Sequence, residues 1–295
     1  RKHSHIYLIG LVYLNKKSNS WCLTQFFANH IDKEKELLEK FNDFICKFDL
    51  IVTYNGDSFD LPFIKYRSKK YNIKSKVLKI NSFDIYRKIK NNRPYLHLKN
   101  LKLKTIEESL GIYREDEYSG KDCISFYYQY MKTKEEVLKQ KILKHNYDDL
   151  YYLLDVIKIF DFIKDIKSIM VNFSDEKIDI EVKDIMIDGD VLKILCNTSA
   201  INNHISTIYY EEGFNINWQD NNILTIELEI KEGLITPTKK CIFINKITLP
   251  SPMNLEDLSQ YVAPDNIILL KVEDKYEMKN IKNIIKHLVQ YILLK

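Results

Sequence analysis

The sequence is poor in cysteine, proline and glycine, and it contains no long apolar run. Its 295 residues include 5 cysteines, 6 prolines and 7 glycines. The cysteines are odd in number and scattered, without a Cys-x-x-Cys pair or a Cys/His cluster, so we expect reduced thiols in the cytoplasm rather than zinc or disulfides. No stretch reaches the ~20 apolar residues of a membrane span, and no signal-peptide pattern opens the chain. A membrane partner is therefore not expected.

Charge is divided unevenly along the chain. Residues 1–170 carry a net charge of +10 and residues 171–295 a net charge of −6. The basic residues concentrate in two segments, 65–79 and 87–104. A basic first half suits a polyanionic partner such as nucleic acid, but a solvated lysine-rich surface is the simpler interpretation, and composition alone favours it.

The pattern of apolar residues predicts an α/β protein with two domains. In the first half, two strands joined by a short polar turn are followed by helix, strand, helix and strand. Asp32 and Thr133 are expected to cap the helices that follow them. From residue 178 on, alternating segments predict antiparallel strands and a C-terminal helix. We therefore expect a mixed sheet flanked by helices in residues 1–170 and a smaller α+β domain in residues 175–295.

One stretch of the first half, TYNGDSFDLPFI at residues 53–64, has the composition of a ligand-binding turn. It follows the apolar residues 50–52, which end a predicted strand, and it leads into a helix. Ligands of open α/β sheets bind beyond the carboxyl ends of the strands. Asp60 lies among apolar neighbours, where an unpaired carboxylate is costly to bury. Considered alone, Asp60 is equally well explained as a helix N-cap two residues before Pro62.

A second stretch, LKHNYDDLYYLLDVIKIF at residues 143–160, predicts a helix with an imidazole and a carboxylate on one side. His145 lies four residues before Asp149, so the two share a face if the helix is continuous. This pairing suits a general base beside a metal ligand. The alternative is a helix-start aspartate that balances the helix dipole, with His145 merely exposed.

Six motifs in order resemble one nuclease family. IYLIGLVY, YNGDSFDLPFI, SFDIYRKIK, LKNLKLKTIEESLGI, REDEYSG and HNYDDLYYLL together are similar to the YprB-type family of ribonuclease H-like proteins, within the DEDD 3′–5′ exonuclease superfamily. The resemblance covers residues 4–165. It implies a ribonuclease H-like fold and metal-dependent 3′–5′ exonuclease-type hydrolysis of DNA or RNA, most naturally at single-stranded ends.

The resemblance also implies roles for individual residues. Asp60 matches the aspartate of the second motif and Asp149 that of the third, so both would be catalytic metal ligands for Mg²⁺ or Mn²⁺ in a two-metal site. His145 occupies the position of the general base. The residues expected to contact nucleic acid, through phosphates or stacked bases, are Tyr54, Asn55, Lys69, Lys70, Tyr86 and Lys88.

The sequence departs from the family pattern at its start. The first motif, Asp-x-Glu on the first strand of the fold, does not precede the hairpin here. We expect either an N-terminally truncated copy or a protein that has lost the motif. Two of the four metal-holding carboxylates are thus missing from these 295 residues, and the remaining pair would bind a hard cation only weakly. We therefore expect impaired hydrolysis by this chain. The alternative function is a non-catalytic scaffold that binds nucleic acid or a protein.

Overall fold

A computed structural model describes residues 5–114, 118–173, 176–199, 207–219, 222–250 and 255–295. The chain divides into two compact units: the first comprises Arg1–Asn91 and Leu98–Ile159, and the second Asn92–His97 and Phe160–Lys295. The domain limits predicted from the sequence, 1–170 and 175–295, stay a prediction. In the part of the chain described, no helix is long and apolar enough to cross a membrane, and all five cysteines are free thiols.

The first unit opens with an antiparallel hairpin, as predicted. Strand β1 spans Leu8–Asn15 and β2 spans Ser20–Phe27, with Leu8 opposite Phe27. Side chains alternate between two faces because successive residues of a strand point to opposite sides. Ile9, Leu11 and Phe26 pack into a core with helix α1, Glu34–Ile45. Leu8 and Phe27 pack on the opposite side with Cys123 and Tyr127.

A parallel strand pair follows the hairpin. Strand β3, Leu50–Thr53, lies beside β4, Asn81–Asp84, and Thr53 is the register partner of Asp84. Helix α2, Asp60–Lys70, connects the two strands. The hairpin and the parallel pair contribute to one core beneath α1 and α2. Among the described residues they nevertheless form two separate two-stranded sheets.

Four helices complete the first unit. They are α3 Ile85–Lys90, α4 Leu103–Ser109, α5 Gly120–Thr133 and α6 Glu136–Val156. Two cap predictions were wrong. Thr133 is the last residue of α5, and the N-cap of α6 is Glu135, which makes no side-chain cap bond. Asp32 lies in a 3₁₀ turn before α1, and its carboxylate forms a hydrogen bond with the His30 ring at 2.7 Å. A capping box occurs instead at Ser119 and Asp122, before α5.

The second unit is built of antiparallel sheets. A six-stranded sheet has the order β5-β6-β7-β10-β9-β8, and a four-stranded sheet the order β11-β12-β13-β14. The strands are β5 Ser168–Phe173, β6 Glu176–Asp188, β7 Val191–Thr198, β8 Thr207–Glu211, β9 Phe214–Gln219, β10 Ile223–Glu229, β11 Lys231–Thr236, β12 Lys239–Asn245, β13 Ile267–Val272 and β14 Lys275–Tyr276. The predicted turn near Asp188 is present, with Gly189 at φ +59°.

Two helices and a short segment complete the second unit. Helix α7 spans Ile159–Lys167, so the helix predicted over residues 143–160 ends with α6 at Val156 and a new helix begins at Ile159. Helix α8, Met278–Leu293, agrees with the predicted C-terminal helix. It packs into the hydrophobic core to which both sheets of the second unit contribute. The segment Asn92–His97 also belongs to this unit, and its buried Tyr95 stacks on Tyr276 at 5.5 Å.

Candidate functional site

The loop after β3 is held by the buried carboxylate of Asp84. Its Oδ1 accepts the backbone N–H of Asn55 at 2.8 Å, and its Oδ2 accepts that of Asp57 at 3.0 Å. The same carboxylate caps α3 through the N–H of Arg87 at 3.3 Å. Asp84 is 2% exposed. Charge-assisted hydrogen bonds in a buried setting are the strong ones, so Asp84 fixes the path of the loop.

The loop backbone demands particular residues. Asn55 adopts a left-handed φ of +63°, a conformation that asparagine tolerates better than most residues. A Cβ atom at Gly56 would lie 2.6 Å from the Cβ of Thr53, so only glycine fits there. The carbonyl of Gly56 accepts the N–H groups of Phe59 at 3.2 Å and Leu61 at 2.9 Å. These constraints place Asp60 as the first residue of α2.

Asp60 is not a helix N-cap. The cap position belongs to Phe59, which makes no side-chain cap bond. Asp60 is an exposed residue, yet surrounding protein atoms crowd its carboxyl. Burial therefore raises the pKa of Asp60, and the negative charge of Asp84 raises it further. A partly desolvated carboxylate near a second negative charge favours the approach of a cation.

The second group of site residues is on α6. The helix is continuous from His145 to Asp149, and His145 Nε2 lies 3.7 Å from Asp149 Oδ2. Asp149 Oδ1 accepts a hydrogen bond from Arg114 Nη1 at 2.7 Å. The Nε of the same guanidinium donates to Glu107 Oε2 at 3.0 Å. Arg114 thus bridges a half-exposed carboxylate and a buried one.

Close packing against the hairpin fixes the position of α6. Gln25 Nε2 donates to the carbonyl of Leu143 at 2.8 Å and to Asn146 Oδ1 at 2.9 Å. Gly10, the register partner of Gln25, has no side chain. A Cβ atom at Gly10 would overlap the side chains of Asn146 and Leu150. The glycine therefore lets the hairpin approach the turn of α6 that carries the His145–Asp149 pair.

The residues predicted to contact nucleic acid are placed as follows. Tyr54 donates its hydroxyl to the carbonyl of Leu101 at 2.6 Å, and its ring meets Tyr86 edge-on at 6.0 Å. Burial raises the pKa of Tyr54, with the charges of Asp84 and Glu107 adding to it. Asn55 lies in the loop described above. The exposed side chains among the predicted residues are Lys69 and Lys70 at the end of α2 and Lys88 on α3.

The structure gathers the acidic groups around two points. The first group is Asp60 with Asp84, whose charge raises the pKa of Asp60. The second is Asp149 with His145, Arg114 and Glu107. The charges of Asp84 and Glu107, one from each group, both raise the pKa of Tyr54. Within the described ranges, no three His, Cys, Asp or Glu side chains converge to hold a metal ion. That Asp60 and Asp149 share one cation stays a prediction.

Sequence reasoning missed three residues of this site. Asp84 had a readable signal, since an aspartate at the end of a strand before a helix is a cap candidate. Glu107 and Arg114 stand within quoted motifs, but a buried pair between α4 and the segment before α5 depends on tertiary contacts. No periodicity or spacing in the sequence indicates it.

Comparison with known proteins identifies the class. The sequence profile of the RNase H superfamily matches residues 1–160, and the chain therefore belongs to that superfamily. Among curated proteins, a DNA polymerase of Methanocaldococcus jannaschii is 46% identical over 43 residues, 15% of this chain and 3% of that protein. DNA polymerase 1 of Sulfurisphaera ohwakuensis is 49% identical over 39 residues, 13% of this chain and 4% of that protein. No solved structure matches significantly.

Proteins of the RNase H superfamily act on nucleic acid and generally use divalent metals. The residues present fit such a metal in part. Burial and the charge of Asp84 raise the pKa of Asp60, and a nearby cation would offset both effects. Asp149 offers Oδ2, because Arg114 holds Oδ1. Hard cations such as Mg²⁺ take about six oxygen ligands, so these two carboxylates would be part of a larger set.

Removing Asp84 should loosen the loop. We expect Asp84→Ala to lower the free energy of unfolding by about 3 kcal/mol, because it strands buried N–H groups. The amides of Asn55 and Asp57 should lose hydrogen-exchange protection. Denaturant unfolding and amide exchange measure both effects. Asp43→Ala, at an exposed position of α1, is the control and should change stability by less than about 0.5 kcal/mol. Unchanged protection of the two amides would contradict the role assigned to Asp84.

Neutralising Asp60 should stabilise the fold at neutral pH. A raised pKa in the folded state contributes stability that is present below the ordinary aspartate pKa of 3.8 and is lost as the pH rises through the folded-state pKa. At pH 7 the charged carboxylate therefore opposes folding. We expect Asp60→Asn to gain less than about 1 kcal/mol at pH 7, since solvent screens this exposed group, and nothing near pH 3. Urea unfolding at pH 7 and pH 3 measures the change in stability, and Asp49→Asn is the control. An equal gain in the free energy of unfolding at the two pH values would refute the prediction.

Proposed function

We propose that the chain is a YprB-type member of its superfamily whose first unit performs metal-dependent 3′–5′ exonuclease-type hydrolysis of nucleic acid at single-stranded ends. The observation that carries the proposal is the pair His145 and Asp149 on one face of α6, with 3.7 Å between Nε2 and Oδ2. The desolvated Asp60 at the loop after β3 supports it. This combination offers a proton acceptor, a ligand on a rigid helix and a second carboxylate.

Each residue has a defined task in this mechanism. Mg²⁺ or Mn²⁺, when bound, would activate a water molecule and stabilise the leaving oxygen. Asp60 and Asp149 would be two of the ligands. His145 would accept the proton of the attacking water, for which an imidazole is suited near neutral pH. The buried Asp84 would keep the Asp60 loop in place, and the exposed Lys69, Lys70 and Lys88 would contact phosphates.

The remaining carboxylates would come from a strand with Asp-x-Glu. The hairpin and the β3–β4 pair share one core and yet are separate sheets in the described part of the chain. A strand between them would pair with both and create the single mixed sheet expected from the family. Parallel and antiparallel edges left without partners expose backbone N–H and C=O groups, which favours the addition of a strand.

A second candidate is a scaffold that binds nucleic acid or a protein without cleavage. The observation that favours it is the ion pair between Arg114 and Asp149, which neutralises the carboxylate without a metal. We keep the prediction of an accessory α+β domain for the acidic second unit, whose described residues offer no catalytic arrangement. The discriminating observation is whether Asp-x-Glu occurs on a strand that joins the two sheets.

Cleavage should depend on a strand that bears Asp-x-Glu and on Asp149. We expect the 295-residue chain to show little activity on single-stranded DNA or RNA with Mg²⁺ or Mn²⁺. A chain extended by a strand bearing Asp-x-Glu should cleave from 3′ ends. In that protein Asp149→Asn should abolish cleavage, and His145→Ala should slow it by about 10²–10⁴-fold, the usual contribution of a general base.

The control for this experiment is the same extension with Asn-x-Gln in place of Asp-x-Glu, which restores the strand without its charges. Turnover of 3′-labelled and 5′-labelled strands distinguishes polarity. Robust cleavage by the 295-residue chain that survives both Asp60→Asn and Asp149→Asn would show that the site lies elsewhere.

Nucleic acid binding should depend on salt and on the three predicted lysines. Replacing Lys69, Lys70 and Lys88 together by glutamate should weaken binding of a single-stranded oligonucleotide and flatten the dependence of affinity on salt, because fewer counterions are released. The matched control reverses the exposed Lys16, Lys17 and Lys35 and should weaken binding much less. Fluorescence anisotropy across a salt series measures both. Affinity that is indifferent to salt would reduce the lysines to a solubility role.

A further inference from the structure

The guanidinium of Arg114 occupies an unusual position between two carboxylates. Its side chain is 9% exposed, that of Glu107 is 1% exposed and that of Asp149 is 37% exposed. The two contacts use different nitrogens, Nε for Glu107 at 3.0 Å and Nη1 for Asp149 at 2.7 Å. The planar fork of arginine is suited to such a double contact, whereas lysine has one nitrogen.

The guanidinium is held independently of Asp149. The ring of Tyr152, one turn along α6, lies 5.8 Å from the Arg114 guanidinium carbon, within the range of a cation–π contact. Together with the buried Glu107, this contact keeps the guanidinium in place if Nη1 loses its partner. Arg114 can therefore release Asp149 without becoming a buried charge that has no compensation.

Asp149 is the more exchangeable of the two carboxylates. It is partly open to solvent, so its ion pair is screened and contributes modestly to stability. Its other oxygen, Oδ2, faces His145. The proposed function assigns this same carboxylate to a divalent cation. The guanidinium and the cation would therefore compete for Asp149.

We propose that Arg114 is a built-in competitor for Asp149, holding this carboxylate in the metal-free site and yielding it when a divalent cation binds. The inference rests on the proposed function. It makes Arg114 a residue that sets the metal affinity of the site: the guanidinium lowers the affinity, both by occupying Oδ1 and by its positive charge. After the exchange the guanidinium stays with Glu107 and Tyr152.

The test compares Mn²⁺ binding by variants of the 295-residue chain, with free Mn²⁺ measured by electron paramagnetic resonance. The principal variant is Glu107→Gln/Arg114→Gln, which removes both buried charges while keeping similar shapes, a change that folded proteins often tolerate. We expect it to bind Mn²⁺ about tenfold more tightly than the unmodified chain, because Asp149 is released and a nearby positive charge is removed. Adding Asp149→Asn should abolish this gain.

Two further variants sharpen the comparison. Glu107→Gln alone should bind Mn²⁺ no more tightly than the unmodified chain. Of the two carboxylates, only Asp149 then remains to pair with the guanidinium, so Arg114 should hold Asp149 at least as firmly. Arg114→Lys keeps a positive charge beside Glu107 but replaces the two-nitrogen fork with a single nitrogen, which holds Asp149 less well, so it should give a gain of several-fold. Circular dichroism would reveal whether the double variant folds. If it does not fold, Arg114→Lys alone tests the inference.

The outcomes separate this inference from the proposed function. Equal or weaker Mn²⁺ binding by the double variant and by Arg114→Lys, or a gain that persists with Asp149→Asn, overturns the competitor role. Absence of Mn²⁺ binding in every variant overturns it as well. Failure of the strand-extended chain to cleave, with the Mn²⁺ gain intact, instead rejects the nuclease proposal and leaves the competition between Arg114 and a cation standing.

Discussion

The arrangement of the first unit depends on one buried carboxylate, that of Asp84. Its two oxygens accept N–H groups of Asn55, Asp57 and Arg87, so one side chain fixes the loop after β3 and the start of α3. This is possible because β3 and β4 are parallel and Thr53 is opposite Asp84. The carboxyl ends of both strands then lie at the same edge. Everything proposed for Asp60 follows from this contact, because the loop delivers that carboxyl to the first position of α2.

A second constraint is the balance of charge at the two acidic groups. The folded protein compensates their carboxylates unequally. Asp149 has a guanidinium beside it, whereas Asp60 faces another carboxylate and has a raised pKa. The two predicted ligands therefore differ in kind. One is satisfied within the protein, and the other gains most from an added cation.

The proposed function connects the two sheets of the first unit with the Asp-x-Glu strand. A hairpin and a parallel pair cover one core without pairing with each other in the described residues. In a mixed sheet a strand between them would supply both ladders of hydrogen bonds. In the proposed function the same strand would carry the Asp-x-Glu carboxylates. Sheet continuity and metal binding would then both depend on one element, and the proposed extension tests both.

The sequence by itself determined the order of elements from β1 to β4, because two strands joined by a short polar turn and the apolar run before Thr53 are local patterns. It also determined that His145 and Asp149 share a face, since helical spacing is independent of the rest of the fold. Only the tertiary structure decided that Asp60 is no N-cap, that Asp84 holds the loop, and that Arg114 bridges Glu107 and Asp149. Those residues are separated by 7 to 35 positions or lie on different elements. Their contacts arise from the packing of α4 and α6 and the pairing of β3 with β4, which no local periodicity encodes.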